Sequence, residues 1–311
     1  MRDRVATTQD VSRSFQLVAA PFTPMKADRS VDFNRVKPYY EFLRTKGIDG
    51  AFVCGTTGEG ASLTGEERKR LLTAWAIARG EDASFRIFAH VGNESPALAA
   101  DLAKHAQDCG SDAIAIHSPT FFKPRGEDSA VLHAAEIAAA SPQLPFYYYH
   151  IPSMTGLSLS IPRLIELAKA HIPNFAGVKF THGDLGEYLD CLNLAGDKLE
   201  IFFGRDELLF FGLGAGAAGA VGSTYNFAAP LYRQLIAAYL RGDEEEARRL
   251  QMESRRLISR IVCHGGLAGQ KATMALVGFD CGPCRQPLDH INATQIQAIQ
   301  EAIVSLPMEY L

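Results

Sequence analysis

Phe175-Ala176-Gly177-Val178-Lys179-Phe180-Thr181 is an apolar run with one lysine near its C-terminal end, and the turn-forming residues His182-Gly183-Asp184 follow it. A short, nearly continuous apolar run is the pattern of a parallel strand buried on both faces. Burying an ammonium there is costly, and desolvation lowers its pKa. A protein obtains in this way an amine that can attack a carbonyl and form a Schiff base. Taken alone, the stretch fits better a lysine that lays its stem along apolar surface and leaves its charge in water.

Working outward, seven more runs share this character: 16–20, 50–54, 86–91, 113–116, 145–149, 200–203 and 219–222. Each is separated from the next by a longer segment with helical signals. Thr64-Gly65-Glu66-Glu67 is an N-cap followed by acids, opening a helix towards Gly80. Ser95-Pro96 and Ser160-Ile161-Pro162 place proline at a helix start, and Cys109-Gly110 ends the helix between them. Eight strands alternating with helices predict an α/β fold, a (β/α)₈ TIM barrel. No repeat or low-complexity linker interrupts it, so residues 1–311 read as one domain. Its barrel core spans 15–228, and 229–311 form a C-terminal helical extension.

The chain has 311 residues, 47% hydrophobic and 21% charged, with a net charge of -4. Mild acidity gives no basic face for nucleic acid or an anionic membrane. No apolar run approaches the roughly 20 residues of a membrane span, and Met1 to Ser14 lacks the apolar core of a secretory leader. A cytoplasmic protein is expected. Six cysteines are too few for a disulfide scaffold of this length. Cys281-Gly282-Pro283-Cys284 has thioredoxin-type spacing, but a redox pair of that kind opens a helix after a strand. Here the flanking Gly278-Phe279-Asp280 and Arg285-Gln286-Pro287 predict a loop between two late helices. The nine histidines show no ligand spacing, so neither a zinc site nor any other metal is expected.

In such a barrel, chemistry sits at the C-terminal strand ends. The second strand runs into Gly55-Thr56-Thr57-Gly58-Glu59-Gly60, where backbone N–H groups and two hydroxyls could cradle a small carboxylate. The fifth ends Tyr147-Tyr148-Tyr149-His150-Ile151-Pro152. Alternation lets only some of these tyrosines face the axis, where a phenol could relay a proton beside a lysine imine; otherwise they pack against helices. His150 reads as structural. The seventh ends Gly204-Arg205-Asp206-Glu207 and the eighth Gly222-Ser223-Thr224-Tyr225-Asn226. Asp206, Glu207 and Ser223 could bind polyol hydroxyls, or the two acids could simply favour the next helix start.

Taken together, these motifs resemble the pyruvate-dependent class I aldolases of the dihydrodipicolinate synthase and N-acetylneuraminate lyase superfamily. The likeness runs from Val18 through Pro287 and rests on Gly55 to Glu59, Tyr149-His150-Ile151-Pro152, Gly177-Val178-Lys179, Gly204 to Glu207 and Gly219 to Asn226. It implies Lys179 as the Schiff-base residue, with Tyr149 and Thr57 as its catalytic partners. Substrate would be held by Thr56, Thr57, Thr181, Gly204, Asp206, Glu207 and Ser223, the acids and Ser223 taking a glycerol tail.

Within the superfamily the sequence leans to the lyase branch. Tyr149-His150-Ile151-Pro152-Ser153-Met154-Thr155-Gly156 has methionine where the synthases generally carry an arginine for a second carboxylate, and an apolar side chain cannot make that fork of hydrogen bonds. The implied reaction is reversible cleavage of N-acetylneuraminate, a sugar 2-oxo acid, to N-acetylmannosamine and pyruvate. It needs no cofactor, and the resemblance implies a homo-oligomer, a tetramer. The alternative is another pyruvate aldolase of the superfamily, a 2-keto-3-deoxy sugar acid aldolase or a hydratase-aldolase. A non-catalytic sugar-acid-binding barrel would have lost Lys179 or Tyr149. One departure stands out: Phe121-Phe122 occupies the stretch after the fourth strand where many relatives carry a tyrosine that reaches into a neighbouring subunit.

Overall fold

A computed structural model describes residues 15–288 and 290–311; the polar segment read above, Met1 to Ser14, lies outside the described residues. Eight parallel strands close into one barrel: β1 (Gln16–Ala19), β2 (Gly50–Val53), β3 (Arg86–His90), β4 (Ala113–Ile116), β5 (Phe146–His150), β6 (Phe175–Phe180), β7 (Glu200–Phe203) and β8 (Gly219–Gly222). Each pairs with the next, and β1 closes on β8 from Gln16 opposite Gly219 to Ala19 opposite Gly222. The strands coincide with the apolar runs because both faces are covered, one by helices and one by the barrel's own interior.

The helices α1 (Val36–Thr45), α2 (Gly65–Arg79), α3 (Pro96–Asp108), α4 (Glu127–Ala138), α5 (Ile161–His171), α6 (Leu185–Ala195), α7 (Leu209–Ala215) and α8 (Tyr225–Leu240) follow the strands in turn. Their starts follow the expected chemistry. Thr64 Oγ1 accepts from the Glu67 N–H while Glu67 accepts from the Thr64 N–H, a reciprocal cap on α2. Ser95 caps α3 ahead of Pro96. Beyond the barrel, α9 (Glu244–Val262), α10 (Gly266–Leu276) and α11 (Ala293–Val304) form the helical extension. Along α9, Leu250, Leu257 and Ile261 are buried, and Arg248 pairs outward with Glu244.

Alternation divides the tyrosines of β5. Tyr147 and Tyr149 belong to the inner cluster with Phe52, Phe88 and Phe202, whereas Tyr148 points out to the helix layer and bonds Ser118. Register sets Tyr149 beside Lys179 and Lys179 beside Phe202, so both reactive side chains stand at the C-terminal end of the bore.

The Cys281–Cys284 segment is the predicted loop between α10 and α11. Both thiols are buried and free, and burial pushes them up, Cys281 to about 12 and Cys284 to about 11. Such thiols are poor nucleophiles. The loop braces the barrel instead: the Cys281 carbonyl accepts from the Met25 N–H, and the Arg285 guanidinium forks onto Glu67 of α2. That fork holds the Glu67 carboxyl down at about 2.

Candidate active site

Lys179 stands at the C-terminal end of the bore and is 5% exposed. Its Nζ lies 3.9 Å from the Phe52 ring centroid and 4.0 Å from that of Tyr149. Burial between two rings brings the amine down from 10.5 to about 7, with the Asp206 carboxylate pulling it the other way. Of the two readings of the lysine, the buried amine is therefore the one realised.

Around it opens a cleft of about 490 Å³. Every site residue expected from the sequence lines it: Thr56, Thr57, Tyr149, Lys179, Thr181, Gly204, Asp206, Glu207 and Ser223. They come from five strand ends, β2, β5, β6, β7 and β8, which only closure of the barrel brings together.

The turn after β2 is held rather than floppy. Cys54 and Glu59 both take left-handed backbone, with φ of 60° and 56°. Gly58 passes its carbonyl to Thr23 Oγ1 at 2.6 Å, and the Gly60 N–H returns to the Gly55 carbonyl at 3.0 Å. Gly60 is required, because a Cβ there would meet the Cys54 carbonyl oxygen at 1.8 Å. The turn presents the Thr56 hydroxyl 3.3 Å from the Tyr149 phenol. Burial pushes that phenol up to about 12, so it is protonated at neutral pH.

Asp206 is buried across the cleft. One carboxylate oxygen accepts from the Thr224 N–H at 3.0 Å and from its hydroxyl at 2.6 Å. Burial raises the carboxyl to about 6, with the Thr224 bonds opposing. The acid crowds against the β8 end: a Cβ on Gly222 would lie 1.8 Å from its oxygen. Glu207 pairs with Arg205 at 2.5 Å. Both acids do open a short 3₁₀ turn, Asp206–Leu208, so the helix-start reading holds alongside the cleft reading. Thr181 Oγ1 is buried, lines the cleft and has no hydrogen-bond partner among the described residues.

Some positioning groups escaped the sequence reading. Thr224, passed over for its neighbour Ser223, fixes Asp206. Asn226 ties strand ends together, donating to the Ala20 and Ser223 carbonyls at 2.7 Å each. Most telling is Lys271 in α10, buried at 1% exposure, whose Nζ meets Glu59 Oε1 at 2.7 Å. The other Glu59 oxygen takes the Arg285 N–H at 2.7 Å. The helical extension thus grips the carboxylate turn by a buried ion pair. A lysine within a mostly apolar helix was its one signal, and the partner lies 212 residues away.

The chain matches the profile of the Dihydrodipicolinate synthetase family over residues 13–306. It is 41% identical over 276 residues to the N-acetylneuraminate lyase of Xenopus tropicalis, covering 88% of this chain and 90% of that protein. The structure of the Proteus mirabilis N-acetylneuraminate lyase superposes with a TM-score of 0.90 at 37% identity, over 96% of this chain and 99% of that one. A Ruminococcus gnavus sialic acid aldolase, solved as a catalytic lysine mutant, gives a TM-score of 0.88 at 26% identity, covering 94% and 95%.

Proposed function

Since the chain belongs to the dihydrodipicolinate synthetase family, we propose that it is a Schiff-base aldolase cleaving N-acetylneuraminate reversibly to N-acetylmannosamine and pyruvate. The observation that carries this is the buried Lys179 amine, at about 7, facing a cleft that also holds the Asp206 carboxylate.

The neutral amine attacks the C2 ketone; the Tyr149 phenol gives its proton to the departing hydroxyl, and loss of water leaves a protonated imine beside the phenolate. The Gly55–Gly60 turn, with Thr56 and Thr57, receives the substrate carboxylate. The C3–C4 bond then breaks: its electron pair flows into the imine to give an enamine, and the C4 hydroxyl loses its proton as the aldehyde forms. Left a phenolate by the dehydration, Tyr149, hydrogen-bonded to Thr56, takes that proton, delivers it to C3 of the enamine and recovers it when the imine is hydrolysed. Protonation of the enamine at C3 and hydrolysis of the imine, using the water released earlier, free pyruvate and Lys179. Asp206, Glu207 and Ser223 accept the hydroxyls of the sugar's tail, and Thr181 and Gly204 line the path between. A Cβ on Gly204 would meet Thr181 Oγ1 at 2.0 Å, so glycine there keeps that hydroxyl in place.

Met154 stands at the cleft, 63% exposed, and offers a second substrate carboxylate no partner. This favours a sugar acid over the synthase's aldehyde. No helix among the described residues is long and apolar enough to cross a membrane, and we assign the activity to the cytoplasm. We further take the working form to be a homo-oligomer, a tetramer. Its support is the exposed Phe121 and Phe122 pair, 80% and 84% exposed, on the loop after β4.

The test is trapping. Pyruvate with borohydride should fix a pyruvyl adduct on Lys179 and abolish activity, and N-acetylneuraminate should outrun shorter 2-keto-3-deoxy acids in pyruvate release. An adduct mapped to another lysine would overturn the mechanism; a preference for the short acids would return the protein to the alternative aldolase.

A further inference from the structure

Outside the bore, on the helix side of the β5 and β6 ends, three potential ligands converge that the mechanism does not use. His150 ends β5, His182 follows β6 and Glu187 lies in the first turn of α6. One ring nitrogen from each histidine and a carboxylate oxygen lie within 4.8 Å of one another. His150 Nε2 stands 3.9 Å from Glu187 Oε2, and His182 Nδ1 stands 3.7 Å from it. Neither nitrogen has a hydrogen-bond partner among the described residues, although both are buried atoms. His150 itself is 5% exposed.

The geometry points to a divalent-metal site of the zinc class, built from His150, His182 and Glu187. Two imidazoles and one carboxylate are a zinc donor set, with ligand bonds of about 2.0–2.2 Å and an open fourth position. Tetrahedral ligands at that distance lie about 3.3–3.6 Å apart, so the cluster needs only a modest contraction. His182, on a loop, and Glu187, on a flexible stem, can supply it. The carboxylate is already aimed, since Glu187 Oε1 accepts from the Ile161 N–H at 2.9 Å and leaves Oε2 free to face the rings.

The sequence could not show this, because the donors lie at 150, 182 and 187 without ligand spacing and only the pairing of β5 with β6 gathers them. A metal here does no chemistry in the cleft. It clamps two strand ends to α6, one residue away from Tyr149 and from Thr181, on the far side of the barrel wall.

Cobalt(II) is the probe. Added to the chelator-stripped, full-length protein, it should bind one per chain with the visible absorption of a tetrahedral site. His182→Asn and Glu187→Gln should each lose that absorption while keeping the parent's circular dichroism; glutamine still offers Ile161 its acceptor. Zinc should likewise raise the melting temperature of the parent by several degrees and of neither variant. No stoichiometric cobalt binding, or an absorption that survives in either variant, overturns the site; then the three groups are joined by water or by a proton alone.

Discussion

The chemistry proposed for Lys179 depends on its environment, and the environment has a sign. Its folded pKa of about 7 lies below the free value of 10.5, so the amine is protonated and unreactive in acid and becomes neutral as pH rises through about 7. The rate of borohydride trapping with pyruvate should therefore climb between about pH 6 and 8 and then level, whereas an exposed lysine would keep climbing towards 10.5. A profile still rising at pH 9 would refute the desolvated amine. Asp206 is tested separately, at pH 8, above that limb. A hydrogen bond to a charged group contributes about 1.5–3 kcal/mol, so Asp206→Ala should lower kcat/KM for N-acetylneuraminate by roughly ten- to a hundredfold. Trapping with pyruvate, which never reaches the tail end of the cleft, should hardly change. Equal losses in both assays would assign Asp206 to stability alone. Lys179 was legible from sequence because its signal is local, a charge inside an apolar strand. Lys271 carries a similar signal in a helix, yet its role depends on Glu59, which no local pattern links to it.

The eight strands were readable because double-sided burial makes each an unbroken apolar run, and their ends moved by only a residue or so. One such shift matters, since β5 continues to His150 and so turns that ring outward from Tyr149 towards β6 and α6. The turn after β2 shows the opposite case. Its glycines and threonines suggested an anion nest, but what holds it is the Glu59–Lys271 pair, with both side chains essentially inaccessible to solvent. Removing one partner of such a pair costs about 3–5 kcal/mol, while replacing both can be nearly neutral. Lys271→Met should accordingly lose stability on that scale and raise the pyruvate concentration needed for trapping. The double variant Glu59→Gln, Lys271→Met should regain most of the stability without restoring the turn. If Lys271→Met melts like the parent and traps pyruvate normally, α10 does not brace the site.

For the whole molecule, the helical extension acts as a strap that closes over the β2 turn through Lys271 and Arg285 and reaches the β7 end through Gln251, whose amide meets the Asp206 carbonyl at 3.2 Å. On the same rim, the loop after β4 carries Phe121 and Phe122, packed edge to face at 5.0 Å between centroids and otherwise open. Glu94 holds that loop, accepting from the Thr120 and Phe121 N–H groups at 2.8 and 3.2 Å, so the rings are presented rather than left to wander. Exposed aromatics on a fixed loop are what a surface for the proposed assembly would present. Sedimentation should give a particle of about four times the 33.8 kDa chain. Phe121→Asp with Phe122→Asp should shift it to smaller species. A parent that sediments as a single chain would dismiss the tetramer.

Sequence alone determined the barrel, the lysine buried in its sixth strand and the five strand ends that line the cleft, because each is written in contiguous residues: apolar runs, a misplaced charge, a glycine-rich turn. It also determined the lean towards a sugar acid, through methionine at position 154. Tertiary structure alone decided which tyrosine faces the amine, which threonine holds Asp206, what the Cys281–Cys284 loop is for, and that His150, His182 and Glu187 meet. These depend on register and on contacts between residues far apart in the chain. A buried charge or an orphaned imidazole finds its partner through the closure of the barrel, and local pattern carries no record of that distance.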